Sequence, residues 1–536
     1  MKRIAAAAII LAVLCAGAAF GKGTKEASGA GSSGASAAPA ATTAAATQYP
    51  LAGNKKFTYW VELPANVNTY AKNLADVEFR KNLEKATGVK IEYQHPASGS
   101  VLEQLNILLA SGDYPDMLEY TWPTYSGGTA KLYADKVIVK LNDVIDKWMP
   151  NLKAFYAKKP NIARQVKSDD GSFFLIPFIR DSDELRFTSG PVLRADWLKQ
   201  DGLNPPETIA EWETVLQAFK DKNNAEGPFT GQITDNVQRV FVTAYNTTGT
   251  FYPDENVIKF GPVEPGYKAF LTQMADWYKK GLIDKNLMTI DRKYIDAAMT
   301  NGKGGSSYCA GGGQVGPYIT TGKKANPDYD LVATTFPTLN KGEKVKYINS
   351  FEFTTNGHVV VSSKCKDVEG AAKWLDYAYG TEGNMLFNFG TLGVSYNMVG
   401  GEPIYSDLVM KDPKLSIAQA MSKYCVAPMS GPFVQALGYI QQYYTMPQQK
   451  AALTKWSTKD ASTSIEPPVT LTTAEAADFA KTMIDINTYV DEMKAKFILG
   501  TAPLSDIDGF QAKIRSMGLD KALKIRQAAL DRYNKR

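Results

Sequence analysis

Residues 57–120 read FTYWVELPANVNTYAKNLADVEFRKNLEKATGVKIEYQHPASGSVLEQLNILLASGDYPDMLEY, and this stretch decides the fold. Residues 57–62 (Phe57-Thr58-Tyr59-Trp60-Val61-Glu62) have strand composition, and a helical segment follows over about 76–86. A second strand is expected over 89–93, a helix over 102–109 and a turn at Ser111-Gly112-Asp113-Tyr114-Pro115. A third strand over 116–120 completes a β-α-β-α-β order. That order calls for a parallel sheet with helices on its faces. Ligands of such sheets sit beyond the carboxyl ends of the strands. Trp60, Val61 and Glu62 then share one mouth with Glu119, Tyr120, Thr121 and Trp122.

Outward from this unit, residues 172–178 read as a buried strand. The chain continues through Phe187-Thr188-Ser189 into Arg194-Ala195-Asp196-Trp197-Leu198 and Pro205-Pro206-Glu207-Thr208. Thr208 is the expected N-cap of a helix over 209–219, with Glu211 at the capping-box position. Residues 357–362 read as a strand, and a helix is expected over 368–380. A loop with glycines at Gly390 and Gly393 then leads to Tyr396. The last stretch, 496–536, shows a helix end at Gly500, a turn at Pro503 and two helices broken at Gly518-Leu519-Asp520.

The motifs occur in the order found in the large solute-binding proteins of carbohydrate ABC importers, and the chain resembles that family. The resemblance rests on Arg194–Leu198 with the Pro-Pro-x-Thr cap, on Tyr379-Gly380-Thr381-Glu382-Gly383, on Gly390 to Tyr396, and on the wording of 496–536. It is nearest to the lipoprotein-type branch that includes alginate- and pectin-oligosaccharide binders. It implies a two-lobed α/β clamshell, the type II periplasmic-binding-protein fold, with parallel-sheet lobes joined by a multi-strand hinge. Lobe 1 is expected over 50–180, with about 350–400 returning to it. Lobe 2 is expected over 181–349, with about 401–536 mostly joining it. Leu392 stands where the family usually carries an acid, so any role of that acid is absent.

The N-terminus reads as a secretory leader over 1–21: Lys2 and Arg3, an apolar run over 4–14, and a small-x-small site at Ala19-Phe20-Gly21. The run is too short to span a bilayer. A second reading makes Cys15 a lipidated cysteine, against which Leu14 counts because the preceding residue is normally small. Residues 22–49 form an Ala/Ser/Gly/Thr-rich tether, too apolar-poor to fold alone. The location is therefore periplasmic or cell-surface.

Composition supports a folded, multi-domain chain. Of 536 residues, 44% are hydrophobic and 11% aromatic, and the net charge is only +5. With no dense basic run, nucleic acid is excluded as a partner. Four cysteines include Cys15; the odd remainder, Cys309, Cys365 and Cys425, argues against a full disulfide framework. Three free thiols are the default and one pair is the alternative. A monomer is expected.

Motifs for catalysis are missing. Neither of the two histidines, His95 and His358, sits in a metal or triad pattern. Gly311 to Gly316 formally matches a dinucleotide loop, yet Pro317 follows at once where a longer helix should open. No cofactor is expected. Several relatives carry a calcium loop where this chain has 220–228; Asp221 and Asn223 alone do not supply the alternating oxygens calcium needs, so no metal is expected there.

Sugar recognition needs aromatic planes for the C–H face and polar groups for the hydroxyls. Candidate ligand-binding residues are Trp60, Glu62, Glu119, Tyr120, Trp122 and Tyr125 at the strand ends. Arg180 and Asp181 lie between the crossing strands, with a hinge salt bridge as their alternative role. Tyr308, Gln314 and Tyr318 flank the glycine-rich loop, Phe351 and Phe353 precede the second crossing, and Tyr396 follows the later loop. Trp197, Trp212, Trp277 and Trp374 are expected in the core. The reading is a receptor, not an enzyme, that captures an oligosaccharide by lobe closure and delivers it to ABC permease subunits. The alternatives are a receptor for peptide or another solute on the same fold, and a secreted polysaccharide-active enzyme.

Overall fold

The computed structural model describes residues 47–125, 127–348, 356–457 and 466–536. The leader at 1–21, Cys15, most of the 22–49 tether, Phe351 and Phe353 lie outside them. The strands, in chain order, are β1 Lys55–Trp60, β2 Val89–Gln94, β3 Met117–Tyr120, β4 Ile179–Arg180, β5 Ser189–Arg194, β6 Gly227–Phe229 and β7 Phe251–Asp254. They continue as β8 Val257–Phe260, β9 Gly304–Ala310, β10 Leu331–Ala333, β11 His358–Val361, β12 Tyr396–Val399, β13 Glu402–Tyr405 and β14 Val434–Gln435.

The first sheet runs β11-β3-β1-β2. β1 is parallel to both β2 and β3, as the β-α-β-α-β order requires. β2 alternates buried Val89, Ile91 and Tyr93 with exposed Lys90, Glu92 and Gln94, the signature of a half-buried strand. The intervening helix Glu78–Thr87 buries Phe79, Leu83 and Thr87, spaced to lie on one face. β11 then returns from far along the chain and pairs antiparallel with β3, His358 opposite Tyr120 and Val361 opposite Met117. Its four residues are all buried. The apolar core here gathers side chains from 57–179, 359–387, Val426 and Phe433.

The second sheet runs β10-β5-β9-β6, antiparallel except for β6 with β9. Each sheet is thus mixed. The second core joins residues 193–287 to 483–530 of the C-terminal helices. In the short helix Ala195–Asp201, Asp196 accepts from Arg194, whose guanidinium stacks 4.2 Å from Trp197 and 4.3 Å from Tyr329. Thr208 and Glu211 form the reciprocal capping box of the helix Ile209–Asp221. Near the C-terminus, helix Ile507–Ile514 meets helix Asp520–Tyr533 at Gly518, whose φ of 100° breaks the helical path and favours glycine.

The two lobes are joined by several crossings. β4 pairs parallel with β14, Ile179 opposite Val434 and Arg180 opposite Gln435. Residues 172–178 differ from the strand expected. They are buried and extended, but only Ile176 bridges, exchanging N–H···O bonds of 2.8 and 3.0 Å with Val359. Phe178 N–H instead donates to His358 Nδ1 at 3.0 Å. Phe173 N–H donates to the Asn142 side chain at 2.9 Å, so these donors are met by separate partners and not by a ladder. The helix expected over 368–380 is α-helical over Val368–Asp376 and tightens to a 3-10 turn at Tyr377–Tyr379. A further apolar cluster, with Leu185, Phe389, Tyr396, Tyr405, Tyr439 and Tyr444, packs beside the crossings.

Candidate ligand-binding site

A cavity of about 880 Å³ lies between the lobes. This is at the upper end of small-molecule sites, about 300–1,000 Å³. Lobe 1 contributes Trp122, Tyr125, Lys167 and Phe174; lobe 2 contributes Asp235, Arg239, Thr243, Tyr308 and Phe336. Tyr252, Tyr347, Arg526 and the extended segment from Glu466 to Leu471 close another wall. The site follows from the topology, because the segment after β3 of the first sheet and Tyr308 on β9 of the second line one cavity.

Aromatic rings dominate. Trp122 is fully buried, with its Nε1–H donating to Leu118 O at 3.3 Å. Tyr120 and Tyr125 meet it edge-on at 5.5 and 5.8 Å. Trp122 is therefore the backing of the wall, and the half-buried Tyr125 in front of it offers the ring surface. Tyr308 is half-buried on β9, with the Arg239 guanidinium 5.9 Å above its ring and Phe336 at 6.5 Å. Tyr252 and Tyr347 pack at 4.6 Å.

The charged groups on the wall are mostly partnered. Arg239 pairs with Asp235 at 3.2 Å and Arg526 pairs with Glu466. Arg526 also lies 5.6 Å from the Phe251 ring and 5.7 Å from Phe479. Beside the cavity, Asp169 clasps the C-terminal helix: it accepts from Arg532 at 2.5 Å and from Arg536 at 2.6 Å. Arg532 is held bidentately by Glu475 at 2.6 and 2.9 Å. Asp169 follows Val166 of the first core while the helix packs Ala522 and Leu530 into the second, so this cluster links the two cores.

Of the residues picked out in the sequence, Trp122, Tyr125 and Tyr308 reach the cavity wall. Trp60 is only 5% exposed and packs in the first core. Glu62 is exposed, away from the cavity lining. Glu119 is buried and accepts the Tyr59 hydroxyl at 2.5 Å; burial raises its pKa. Tyr120 braces Trp122 from behind. Arg180 sits at the β4–β14 crossing, 5.5 Å from the Phe178 ring, where burial lowers its pKa despite the neighbouring Tyr439 and Tyr444. Asp181 pairs with Lys159 at 2.9 Å. Gln314 accepts from Ala310 N–H and donates to Tyr318, whose hydroxyl donates to Asp296, so both are spent on each other. Tyr396 belongs to the cluster beside the crossings. The sequence reading missed Lys167, Asp235, Arg239, Tyr252, Glu466 and Arg526. Only the i, i+4 spacing of Asp235 and Arg239 carried a local signal.

The glycine-rich loop has a packing cause. A Cβ on Gly311 would stand 2.6 Å from the Tyr444 hydroxyl and one on Gly312 2.6 Å from the Tyr443 ring, so the backbone is bare to admit two tyrosines. The loop at 220–228 does not fit calcium. Asp221 accepts from Gln217 at 2.7 Å and Glu226 pairs with Lys303 at 2.9 Å. No group of three or more His, Cys, Asp or Glu side chains is placed to share a metal ion among the described residues. All three of Cys309, Cys365 and Cys425 are free and buried.

Two lobes, several crossings and a large polar-aromatic cavity between them define a solute-binding protein of the type II periplasmic class. The chain belongs to the bacterial extracellular solute-binding proteins, whose family profile matches residues 64–385. It is 26% identical over 494 residues to the fructooligosaccharide ABC transporter substrate-binding protein FusA of Streptococcus pneumoniae, covering 84% of this chain and 86% of that one. It is 25% identical over 348 residues to the lipoprotein LipO of Bacillus subtilis, covering 60% and 64%. Among solved structures, the alginate-binding protein AlgQ2 without calcium superposes with a TM-score of 0.71 at 25% identity, over 90% of this chain and 99% of that one. FusA in complex with kestose also gives 0.71, at 23% identity over 90% and 100%.

Proposed function

We propose that this protein is the extracytoplasmic receptor of an ABC importer, capturing an oligosaccharide between its lobes and presenting it to membrane-embedded permease subunits as a monomer. The observation that carries the reading is the interlobe cavity of about 880 Å³ lined by Tyr125, Phe174, Tyr308 and Phe336 among hydroxyl and charged groups. Flat rings match sugar C–H faces, and the polar groups meet the hydroxyls that burial would otherwise leave unpaired. The relatives' names, fructooligosaccharide transport and alginate binding, support the carbohydrate class. Closure on the ligand requires contacts made better in the closed form than in the open one.

The test is calorimetric titration of the purified chain against oligosaccharides, with an assay for new reducing ends run on the same samples. Binding without turnover supports the receptor. Turnover would identify a polysaccharide-active enzyme, and binding of peptides alone would identify the other solute class. We further propose export by the N-terminal leader, with lobe 1 over 50–180 and about 350–400, and lobe 2 over 181–349 with about 401–536 mostly joining it. A mature chain beginning at Lys22 supports soluble export; a diacylated peptide beginning at Cys15 would place it among the lipoproteins, as the relative LipO is named.

A further inference from the structure

The charge cluster around Asp169 joins the two cores at one edge of the interlobe cavity. Asp169 stands between Val166 and Phe173 of the first core. Its carboxylate accepts from Arg532 at 2.5 Å and from Arg536 at 2.6 and 3.0 Å, across 363 and 367 positions of chain. Arg164, next to Ala163 of the same core, lies 5.2 Å from the Tyr533 ring, and its carbonyl accepts from Arg536 at 3.3 Å. The cations are also gripped from the other side. Glu475 holds Arg532, and the Thr470 carbonyl and hydroxyl accept from Arg532 and Arg536 at 3.0 and 2.7 Å. Val469 and Phe479, which flank these two residues in the chain, pack against the second core.

This cluster borders the cavity on both of its sides. Lys167 and Ser168, which precede Asp169, line the cavity, and Pro467 to Leu471, which include Thr470, line it from across. Neither β4 nor β14 contributes to the lining, so that crossing does not border the gap and the cluster does. A contact on the rim of a cleft is one that hinge opening must part. The wall segment Glu466–Leu471 links the cavity to it. Arg526 holds the segment at Glu466, and Arg532 and Arg536 hold it at Thr470. Pro467 and Pro468 fix φ between these two points, so the segment is stiff. A solute lying against it bears on residues that the cluster holds.

The electrostatics suit a contact that is made and broken. The side chains of Asp169, Arg532 and Glu475 are 18%, 29% and 22% exposed, and that of Arg536 is fully covered. With the cores together, taking the charge from Asp169 leaves the Arg536 guanidinium covered and without a carboxylate, which is strongly disfavoured. With the cores apart, water reaches the same guanidinium and replaces the partner. The loss therefore falls on the closed arrangement and spares the open one. We infer that the contact of Asp169 with Arg532 and Arg536 is a closure latch, made as the lobes come together on a ligand and parted as the cleft opens. This rests on the lobe-closure reading above and adds the residues that hold the closed form.

The experiment compares the full chain with Asp169→Asn and Arg536→Gln. Titration calorimetry with trisaccharides of glucose, galactose, fructose and galacturonate finds the best-binding sugar, and small-angle X-ray scattering is recorded at the concentration that half-saturates wild type. Apparent affinity scales with the fraction of chains able to close, so Asp169→Asn should weaken binding about tenfold and show a larger radius of gyration. Arg536→Gln leaves the Arg532 contact in place and should act in the same direction by about threefold. Glu475→Gln is the control for packing: Glu475 and Arg532 lie on one side of the gap, so it should lower the melting temperature and leave affinity within about twofold. Wild-type affinity and radius in Asp169→Asn, beside a lower melting temperature, would show a fixed prop and overturn the latch while the receptor stands. If a peptide library binds and no sugar does, the carbohydrate reading falls, and the same scattering comparison with the bound peptide decides the latch. Binding of neither class overturns the receptor and the latch together.

Discussion

Tyr308→Ala and Trp60→Ala should have opposite effects, and the pair tests the location of the site. Tyr308 is half-buried on the cavity wall, one ring face braced by Arg239 at 5.9 Å. A sugar stacked on such a ring removes on the order of 100 Å² of apolar surface from water, which at roughly 25 cal/mol per Å² is about 2.5 kcal/mol. Tyr308→Ala should therefore weaken binding on the order of fiftyfold. Its cost in stability should be small, because the side chain is already partly in water. Trp60 is 5% exposed, at the end of β1 in the first core. Trp60→Ala opens a void there, a change that costs about 3–5 kcal/mol. At roughly 2–4 °C per kcal/mol for a lobe of this size, the melting temperature should drop by roughly 6–20 °C. The protein that remains folded should keep its affinity. Calorimetric titration and scanning calorimetry on both variants decide the matter. Wild-type affinity in Tyr308→Ala, or a large affinity loss in Trp60→Ala at undiminished stability, would refute the placement.

Three further outcomes follow from particular contacts. Asp169→Ala removes the acceptor shared by Arg532 and Arg536, the latter with a fully covered side chain, and should cost roughly 3 kcal/mol; an unchanged melting curve would show the clasp is idle. Asp376 is buried and accepts from the backbone N–H groups of Asn151 and Leu152, yet desolvation raises its pKa from 3.8 to about 6. The folded state then holds the proton more tightly than the unfolded one, so stability rises as pH falls from about 6 toward 4, by at most about 1.4 kcal/mol per unit. Wild type should gain stability over Asp376→Asn across that window, and a flat difference would contradict it. Chelator should shift the melting temperature by no more than about 1 °C, since a bound ion at saturating level would contribute about 3 kcal/mol.

Local order and type of elements were legible because they depend on near neighbours. The alternation of Val89, Ile91 and Tyr93, the Thr208–Glu211 cap and the break at Gly518 are each decided within a few residues, and the structure has all three. The parallel pairing of β1 with β2 and β3 followed from the helices between them, since parallel neighbours need such crossovers. The candidate site was legible only in part. Trp122 and Tyr125 were in view as aromatic residues near strand ends and Tyr308 as one flanking the glycine-rich loop, but Trp60 was in view too, and periodicity does not say which of two strand-end rings is covered by later chain.

The division of labour has a physical cause. The sequence by itself determined where chain segments become helix or strand, that β1, β2 and β3 pair in parallel, and that the chain resembles a sugar receptor. Tertiary structure alone decided which polar groups meet. Glu466 and Arg526 are separated in sequence by the helices Thr473–Leu499 and Ile507–Ile514 yet form one pair, and Asp169 of the chain beside the first core reaches Arg532 and Arg536. Such contacts are made by packing two cores side by side, and no local pattern encodes which charge will find which partner across the gap.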